Sequence, residues 1–237
     1  MSSIILVRHG QSVWNLEKRF TGWVDVDITE KGEEEAKKAG QLLLDNKIKI
    51  EFYITSYQLR ARRTLNIIKK TLNDDKSINE FWELNERHYG ALTGLNKDEM
   101  KIKLGEKKVH EFRRSWDVRP DKLNQNNPYH PKNITIYKNV PSDQLPDTES
   151  LEDTYKRVIR IYKQEIEDKL KHGNILISAH GNSIRALCKF LFKLDEIQIS
   201  KLEIPTGNPL LIKFDQEENI IECRYLDKDR AKDLVVF

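Results

Sequence analysis

The sequence has few cysteines, no long apolar run and little net charge, and each of these features excludes a class of protein. Cys188 and Cys223 are its only cysteines, too few and too far apart for a disulfide framework or a cysteine zinc site. No apolar stretch approaches the roughly 18 residues that a membrane-spanning helix needs. The net charge of +3 leaves no basic footprint for nucleic acid. We therefore expect a protein that binds neither membranes nor nucleic acid.

The remaining composition is that of a folded globular protein. Hydrophobic residues make up 38% of the 237 residues and charged residues 33%, so the chain can bury a core as one α/β domain or as two small ones. The N-terminus has no basic segment before its apolar run, which ends at Arg8, and this argues against a secretory signal. Two isolated cysteines fit buried, reduced thiols. We expect a cytoplasmic protein.

Apolar runs and amphipathic patterns alternate along most of the chain. Strands are predicted at 4–7, 52–55, 78–84, 175–179, 210–214 and 220–225. Helices are predicted from a Thr29 cap to Leu44, from Ser56 to about Leu72, twice between Gly90 and Trp116, from a capping box at Ser150 to Gly173, and after His180 with a cap at Asn182 or Ser183. This order predicts a three-layer α/β/α sandwich, with helices on both faces of a mostly parallel six-stranded sheet whose last two strands form a hairpin.

Residues 117–148 differ from the rest of the chain. They contain five of its seven prolines, which forbids a long helix, and such a stretch is usually a lid or a binding loop. A linker between two domains is the alternative. We favour a lid within one domain spanning 1–237, because strands continue beyond it and no second core is evident. The tail at 227–237 is short, so we expect the proline-rich segment rather than the tail to cover the functional site.

Two of the predicted strands end in the same way. The first runs into Arg8-His9-Gly10, and the fourth runs into His180-Gly181. A single histidine after a strand is most often a structural residue. The carboxyl ends of parallel strands open on one edge of a sheet, however, and neighbouring strands lie about 4.8 Å apart, so both imidazoles could face one site. The glycines allow the backbone to turn sharply and to approach a ligand closely.

Arginines follow a third strand end. Thr55 leads into a predicted helix with Arg60, Arg62 and Arg63 in its first turns. A helix N-terminus with guanidinium groups beside it is suited to phosphate, although we expect at least one of Arg62 and Arg63 to lie on a solvated face. Two histidines and several arginines without a metal cluster indicate a phosphoryl site, in which a neutral imidazole can accept the phosphoryl group covalently.

Eight motifs in this order resemble the cofactor-dependent phosphoglycerate mutases. They are RHGQSVWN, RFTGW, TEKG, NERHYGALTGLNK, the pair Arg113-Arg114, LPDTESL, AHGNSIRAL and IPTGNPL, and the resemblance runs from residue 4 to about residue 226. The RHG triplet alone would indicate only the wider histidine phosphatase superfamily. NERHYGALTGLNK and IPTGNPL are far more specific to the mutases.

The resemblance implies a role for each matching residue. His9 would be the nucleophile that carries the phosphoryl group, and Glu86 the general acid and base. The alternative for Glu86 is an exposed carboxylate paired to Arg87. Arg8, Arg60 and His180 would hold the phosphoryl oxygens during transfer. Lys97, Arg113, Arg114 and Tyr89 match positions that bind the substrate's carboxylate and far phosphate, and Ser12, Asn15, Thr21, Gly22, Gly181 and Asn182 match contacts around the phosphohistidine. Gln11 departs from the family, in which Glu is frequent.

The implied activity is the interconversion of 3-phosphoglycerate and 2-phosphoglycerate in glycolysis, primed by 2,3-bisphosphoglycerate and without a metal. A broad histidine phosphatase, in which water takes the phosphoryl group from His9, is one alternative, but it would not need Lys97 and the Arg113-Arg114 pair. A non-catalytic phosphate-binding protein is another, but it would have no reason to combine His9 with Glu86 and His180. Within the family, a homodimer paired through an edge strand near 78–82 is a further expectation.

Overall fold

The strands of the computed structural model, which describes residues 2–231, form a single sheet. They are β1 Ser2–Arg8, β2 Phe52–Thr55, β3 Ile78–Glu80, β4 Ile175–Ala179, β5 Leu210–Phe214 and β6 Ile220–Tyr225, in the order β3-β2-β4-β1-β5-β6. The four strands from β3 to β1 are parallel, β5 is antiparallel to β1, and β6 is antiparallel to β5. The prediction of a mostly parallel six-stranded sheet that ends in a hairpin is confirmed.

Helices cover both faces of this sheet. Within residues 2–231 they are α1 Val13–Leu16, α2 Glu30–Asp45, α3 Leu59–Leu72, α4 Lys97–Leu104, α5 Glu106–Arg114, α6 Leu151–Ile161, α7 Glu167–Leu170, α8 Gly181–Leu191 and α9 Glu196–Lys201, with a π-helical turn, Tyr162–Ile166, joining α6 to α7. On β1, Ile4 and Leu6 pack with α6 and α8, whereas Ile5 and Val7 pack with α2 and α3. This alternation confirms the three-layer sandwich.

Several predicted boundaries were displaced. Thr29 caps α2 as expected, its side chain accepting a hydrogen bond from the Gly32 N–H. The helix expected from Ser56 begins only at Leu59, because the Ser56 hydroxyl bonds to the His180 ring instead of capping it. The helix expected to be capped by Asn182 or Ser183 begins one turn earlier, at Gly181. The third strand ends at Glu80 and gives way to a 3₁₀ turn, Trp82–Leu84, and α9 was missed.

The proline-rich segment 117–148 contains no long helix, as predicted, and folds into three 3₁₀ turns, Pro131–Asn133, Thr135–Tyr137 and Ser142–Gln144. Tyr137 is fully buried against Trp23, and its hydroxyl donates to the Trp23 carbonyl and accepts from Gln58. The segment therefore packs against the loops that follow β1 and β2. Its closure over the site stays a prediction, as does the single-domain assignment to 1–237.

None of the helices in the part of the chain that the structure describes combines the length and apolar character that a bilayer crossing requires. In the predicted tail 227–237, the structure describes a 3₁₀ turn, Lys228–Arg230. The apolar residues 234–237, which we expect to pack down and not to act as a lid, lie outside the described residues.

Candidate active site

The two histidines that follow β1 and β4 lie side by side. The strands are neighbours, with Arg8 opposite Ala179, and the His9 N–H donates to the Ala179 carbonyl at 3.0 Å. The centroids of the His9 and His180 rings are 5.1 Å apart. The sequence prediction that these rings share one edge of the sheet is therefore borne out by the geometry.

Hydrogen bonding and burial determine the protonation state of His9. Its Nδ1 lies 2.7 Å from the Gly10 carbonyl, and because a carbonyl can only accept, Nδ1 carries the hydrogen and Nε2 keeps its lone pair. Burial lowers the pKa of His9 well below the usual histidine value, and the charges of Arg60 and Arg8 lower it further. The ring is therefore neutral near pH 7, the form in which Nε2 can attack.

Close backbone packing fixes the loop that carries His9. A Cβ on Gly10 would lie 2.2 Å from the Gly32 carbonyl oxygen, so no larger residue fits there without displacing the start of α2. The Gly10 N–H also donates to the Thr64 hydroxyl on α3 at 3.0 Å. Residues of two helices thus hold the backbone next to His9.

His180 is buried behind His9. Its Nε2 lies 2.7 Å from the Ser56 hydroxyl, whereas its Nδ1 has no hydrogen-bond partner among residues 2–231. Burial lowers the pKa of His180 well below the usual value, and Arg60 and His9 act in the same direction. The His180 ring is therefore neutral near pH 7.

Arg60 is held by carbonyl oxygens and not by a carboxylate. This fully buried side chain on α3 donates to the Val24 and Gly22 carbonyls, both at 2.9 Å, and to the side-chain oxygen of Gln58 at 3.2 Å. Gly22 has φ +53, a conformation in which a side chain is strained. Arg60 therefore orders the 22–24 loop, and among residues 2–231 no ion pair compensates its positive charge beside His9.

A cavity of about 510 Å³ opens at this edge of the sheet. All predicted site residues line it except Ser12 and His180, which lie behind its wall. Six lining residues were not predicted: Arg185, Glu203, Ile204, Pro205, Thr206 and Arg230. Residues 204–206 belong to the IPTGNPL motif, to which sequence reasoning assigned no role. Arg185 follows Asn182 by three positions, a spacing that places both on one helix face and could have revealed it.

The charge of this cavity is strongly positive. Among the residues that the structure describes, seven cationic side chains line it against two carboxylates, Glu86 and Glu203. Glu203 forms an ion pair with Arg114 at 2.7 Å. Burial lowers the pKa of Lys97, and the neighbouring Arg113 and Arg8 lower it further, whereas Tyr89 opposes them. Such an excess of cations fits a ligand with several negative charges.

Glu86 is held by backbone N–H groups at the cavity wall. Its Oε1 accepts from the Arg87 N–H at 2.8 Å and from the Asn182 N–H at 3.1 Å, and its side chain is largely buried. The Arg87 guanidinium instead donates to the Phe112 carbonyl and lies over the Tyr89 ring. The alternative of an exposed glutamate paired to the Arg87 side chain is therefore wrong. Within residues 2–231, Oε2 accepts no hydrogen bond.

Ser12 contributes to the site through Asn15. The Ser12 hydroxyl accepts from the Asn15 N–H, and the Asn15 side chain accepts from the Ser12 N–H, both at 3.2 Å, as a capping box on α1. Asn15 lines the cavity, whereas Ser12 is fully buried. The capping box orients Asn15 at the cavity wall, and a contact of Ser12 with the phosphoryl group stays a prediction.

Arg62 and Arg63 lie outside the cavity, as expected of at least one of them. Arg62 pairs with Glu80 at 2.9 Å, and Arg63 pairs with Asp27 and Glu33. Both are partly exposed and compensated by carboxylates. Of the three arginines at the start of α3, only Arg60 therefore carries charge into the site.

The sequence model of the histidine phosphatase superfamily (branch 1) matches residues 4–129 and 125–226, so the chain belongs to this superfamily. The chain is 66% identical to the 2,3-bisphosphoglycerate-dependent phosphoglycerate mutase of Pelagibacter ubique over the full length of both chains. It is 46% identical to the protein of the same name from Hydrogenobaculum sp., over 98% of this chain and 95% of that one. The chain belongs to the family of the 2,3-bisphosphoglycerate-dependent phosphoglycerate mutases.

Solved structures share the fold at low sequence identity. Bacillus stearothermophilus YhfR superposes with a TM-score of 0.69 at 22% identity, over 93% of this chain and 95% of that chain. A mycobacterial glucosyl-3-phosphoglycerate phosphatase superposes with a TM-score of 0.67 at 18% identity, over 95% of this chain and 97% of that chain. These similarities support the three-layer architecture.

Proposed function

We propose that the protein interconverts 3-phosphoglycerate and 2-phosphoglycerate through a phosphohistidine at His9 that 2,3-bisphosphoglycerate primes. The observation that carries this proposal is the arrangement of three features around one cavity. They are the neutral, buried His9 ring with Nε2 free, the Glu86 carboxylate with Oε2 free, and a wall rich in guanidinium groups. The close relatives named for this activity support it.

The first transfer loads the enzyme. The His9 Nε2 lone pair forms a bond to the phosphorus atom of the bisphosphate while the bond from phosphorus to the leaving oxygen breaks. Glu86 gives its proton to that oxygen, which leaves as the hydroxyl group of a phosphoglycerate. The ring gains positive charge as the bond forms, and the Gly10 carbonyl that accepts from Nδ1 stabilises it. Arg8, Arg60 and His180 hold the phosphoryl oxygens during transfer.

In the second transfer the phosphoryl group moves from His9 back to a phosphoglycerate, at its other hydroxyl group. Glu86 removes the proton from the incoming hydroxyl, its oxygen attacks phosphorus, and the bond to Nε2 breaks. This regenerates 2,3-bisphosphoglycerate, which turns over in the cavity and rephosphorylates His9 from its other phosphate. One guanidinium–phosphate pair 4 Å apart is worth about 4 kcal/mol at an effective dielectric constant of 20, before desolvation. Lys97, Arg113 and Arg114 can therefore retain the intermediate while it turns.

We also propose a location, an oligomeric state and a metal requirement for the protein. We assign it to the cytoplasm, since both cysteines are thiols and burial raises the pKa of Cys188 and of Cys223, which keeps them unreactive. A homodimer would form through β3, which lies at one edge of the sheet. No metal takes part, because the cationic side chains supply the positive charge that phosphoryl transfer needs. Sedimentation at micromolar concentration tests the dimer.

Primer dependence is the first prediction. With the purified full chain and 3-phosphoglycerate, we expect slow turnover that rises to a plateau as 2,3-bisphosphoglycerate is added, because only phosphorylated His9 can act. A metal chelator should leave that plateau unchanged. The mutase reaction is quenched first, and the 2-phosphoglycerate formed is then measured with a dehydratase. The metal that this coupling enzyme needs is added only after the quench. A turnover rate that does not change with the bisphosphate, together with release of inorganic phosphate, would instead identify a phosphatase. Loss of activity in the presence of the chelator would refute the metal-free mechanism.

Ser12 carries the second prediction. Ser12→Gly removes the capping hydroxyl that orients Asn15, at a cost to stability of only a few tenths of a kcal/mol, roughly, for a glycine N-cap. We expect mutase activity to fall relative to the bisphosphatase and synthase activities, since the phosphoryl pocket loses a fixed polar contact. The three activities are measured on one preparation, with Ser12→Ala as the matched variant that keeps Cβ. An unchanged ratio in both variants would exclude Ser12 from the site.

A further inference from the structure

Arg185 on α8 is a buried cation at the cavity wall without a carboxylate partner. Only 3% of it is exposed, and it forms no ion pair within the residues that the structure describes. Arg157 shows the usual arrangement for a buried arginine here, since it donates twice to the Glu149 carboxylate, at 2.7 and 2.9 Å. Burying a guanidinium without such a partner is costly, so the contrast calls for an explanation.

The donor count of Arg185 leaves two N–H groups unused. Its Nη1 donates to the side-chain oxygen of Asn182 at 2.9 Å, and its Nη2 donates to the carbonyls of Ile199 and Arg114. A guanidinium has five N–H groups, so Nε–H and one Nη1–H lack a partner among residues 2–231; Nε is itself buried. The three bonds fix the side chain, and the residue lines the cavity.

Cationic neighbours add to the unpaired charge of Arg185. Burial, together with the charges of Arg114 and Arg87, lowers the pKa of Arg185 to about 9, although Tyr89 and Glu86 partly oppose them. Glu86 is engaged by the backbone N–H groups of Arg87 and Asn182. Arg114 is paired with Glu203, whereas Arg185 has no ion pair within residues 2–231, so a ligand anion at this wall of the cavity would supply its counter-charge.

Arg185 is further linked to the reacting groups through Asn182. Because Nη1 donates to the Asn182 side-chain oxygen, the amide NH₂ is directed to the Tyr89 hydroxyl, at 3.2 Å. The backbone N–H of the same Asn182 donates to Glu86. One side chain thus borders the cavity, sets the orientation of Asn182 and lies two contacts from the proposed acid–base group.

We propose that Arg185 is a substrate-binding residue that holds the anionic group farther from His9, the carboxylate or second phosphate of a doubly anionic substrate. This rests on the proposed function for the identity of the reaction. A substrate with only one phosphate and no second anion would not engage it. Arg185 therefore adds to the preference of the site for phosphoglycerates over simple phosphate esters.

The test measures loading of His9 as a function of 2,3-bisphosphoglycerate concentration. In Arg185→Met we expect the half-saturating concentration to rise about 10- to 100-fold, the range that follows from losing a hydrogen bond to a charged group. The maximum should stay at one phosphoryl group per chain, because His9 is unaltered. Arg185→Lys should recover part of the loss. Arg62→Met, which removes an arginine on α3 that pairs with Glu80 outside the cavity, is the matched control and should behave as wild type.

Failure of the inference on Arg185 can be distinguished from failure of the proposed function. An unchanged half-saturating concentration in Arg185→Met would overturn the inference, and so would a reduced maximum with unchanged half-saturation, because that pattern belongs to a purely structural residue. If the wild type were not labelled at all, the proposed function would fail. The rise in Tm that 2,3-bisphosphoglycerate produces would then still test Arg185, since a smaller rise in Arg185→Met than in Arg62→Met requires only binding.

Discussion

Replacing His9 with alanine is expected to abolish the phosphoenzyme and to reduce mutase activity by at least about 10³-fold, since losses of a covalent nucleophile reach about 10⁶ in other enzymes. The expectation follows from the geometry at the end of β1. His9 Nε2 is the imidazole nitrogen whose lone pair is free at the cavity wall, whereas His180 is buried behind it and bonded to Ser56. His180 is therefore not a substitute nucleophile.

The measurement uses 2,3-bisphosphoglycerate labelled in its phosphates. Wild-type protein should retain label that is lost in acid and kept in base, as expected of a phosphohistidine, whereas His9→Ala should retain none. His172→Ala is the matched control, because His172 is an exposed histidine outside the cavity, its ring 3.7 Å from Asp168, and Cys188→Ala should also keep the label. A labelled His9→Ala protein, or label stable to acid, would place the phosphoryl group on another side chain.

The parts of this site that the sequence could predict are those fixed by local pattern. Short apolar runs end at His9 and at His180, and parallel strands bring their carboxyl ends together, so the pairing of these rings depends on topology alone. Thr29 was a recognisable cap because its hydroxyl bonds within its own turn. The resemblance to a family then supplied the residues of the cavity wall that lie far apart in the chain.

Where prediction failed, a contact between distant segments had overridden a local preference. Ser56 looks like a helix cap, but its hydroxyl bonds to His180, 124 residues away, and the helix starts later. Arg230 reaches the cavity because its guanidinium donates to the Thr206 and Gly207 carbonyls, an arrangement with no local signature. Arg185 is a different case, because its spacing of three residues from Asn182 on the predicted helix was a local signal that the sequence analysis did not use.

The proline-rich segment 117–148 shows what amino-acid composition alone cannot predict. Its five prolines correctly excluded a long helix, yet composition says nothing of where such a segment packs. Its Tyr137 lies against Trp23 and bonds to Gln58, whose side-chain oxygen in turn accepts from the Glu86 N–H at 2.8 Å. The segment thereby contacts the residues that position the acid–base group, a role that its sequence did not indicate.

Glu86→Gln is expected to lower mutase turnover by about 10²- to 10⁴-fold, the usual contribution of a general acid and base. The substitution is nearly isosteric. The amide oxygen can keep both backbone hydrogen bonds, from Arg87 and from Asn182, and it then places an NH₂ group where Oε2 was. The fold and the cavity wall should therefore persist, while the group that exchanges a proton with the substrate hydroxyl is lost.

Leaving-group dependence separates this chemical role from a loss of binding. Nitrophenolate leaves phosphorus without needing a proton, so p-nitrophenyl phosphate should still phosphorylate His9 in Glu86→Gln, with a burst of one nitrophenolate per chain at the wild-type rate. Loading from 2,3-bisphosphoglycerate, whose leaving oxygen must be protonated, should slow by the same factor as the mutase reaction. Glu83→Gln is the matched control, since Glu83 lies three residues away on the 3₁₀ turn and outside the cavity. If the nitrophenolate burst were slowed as strongly as the mutase reaction, Glu86 would position the phosphoryl group and transfer no proton. If loading from the bisphosphate kept its normal rate, the acid–base role would belong to another side chain.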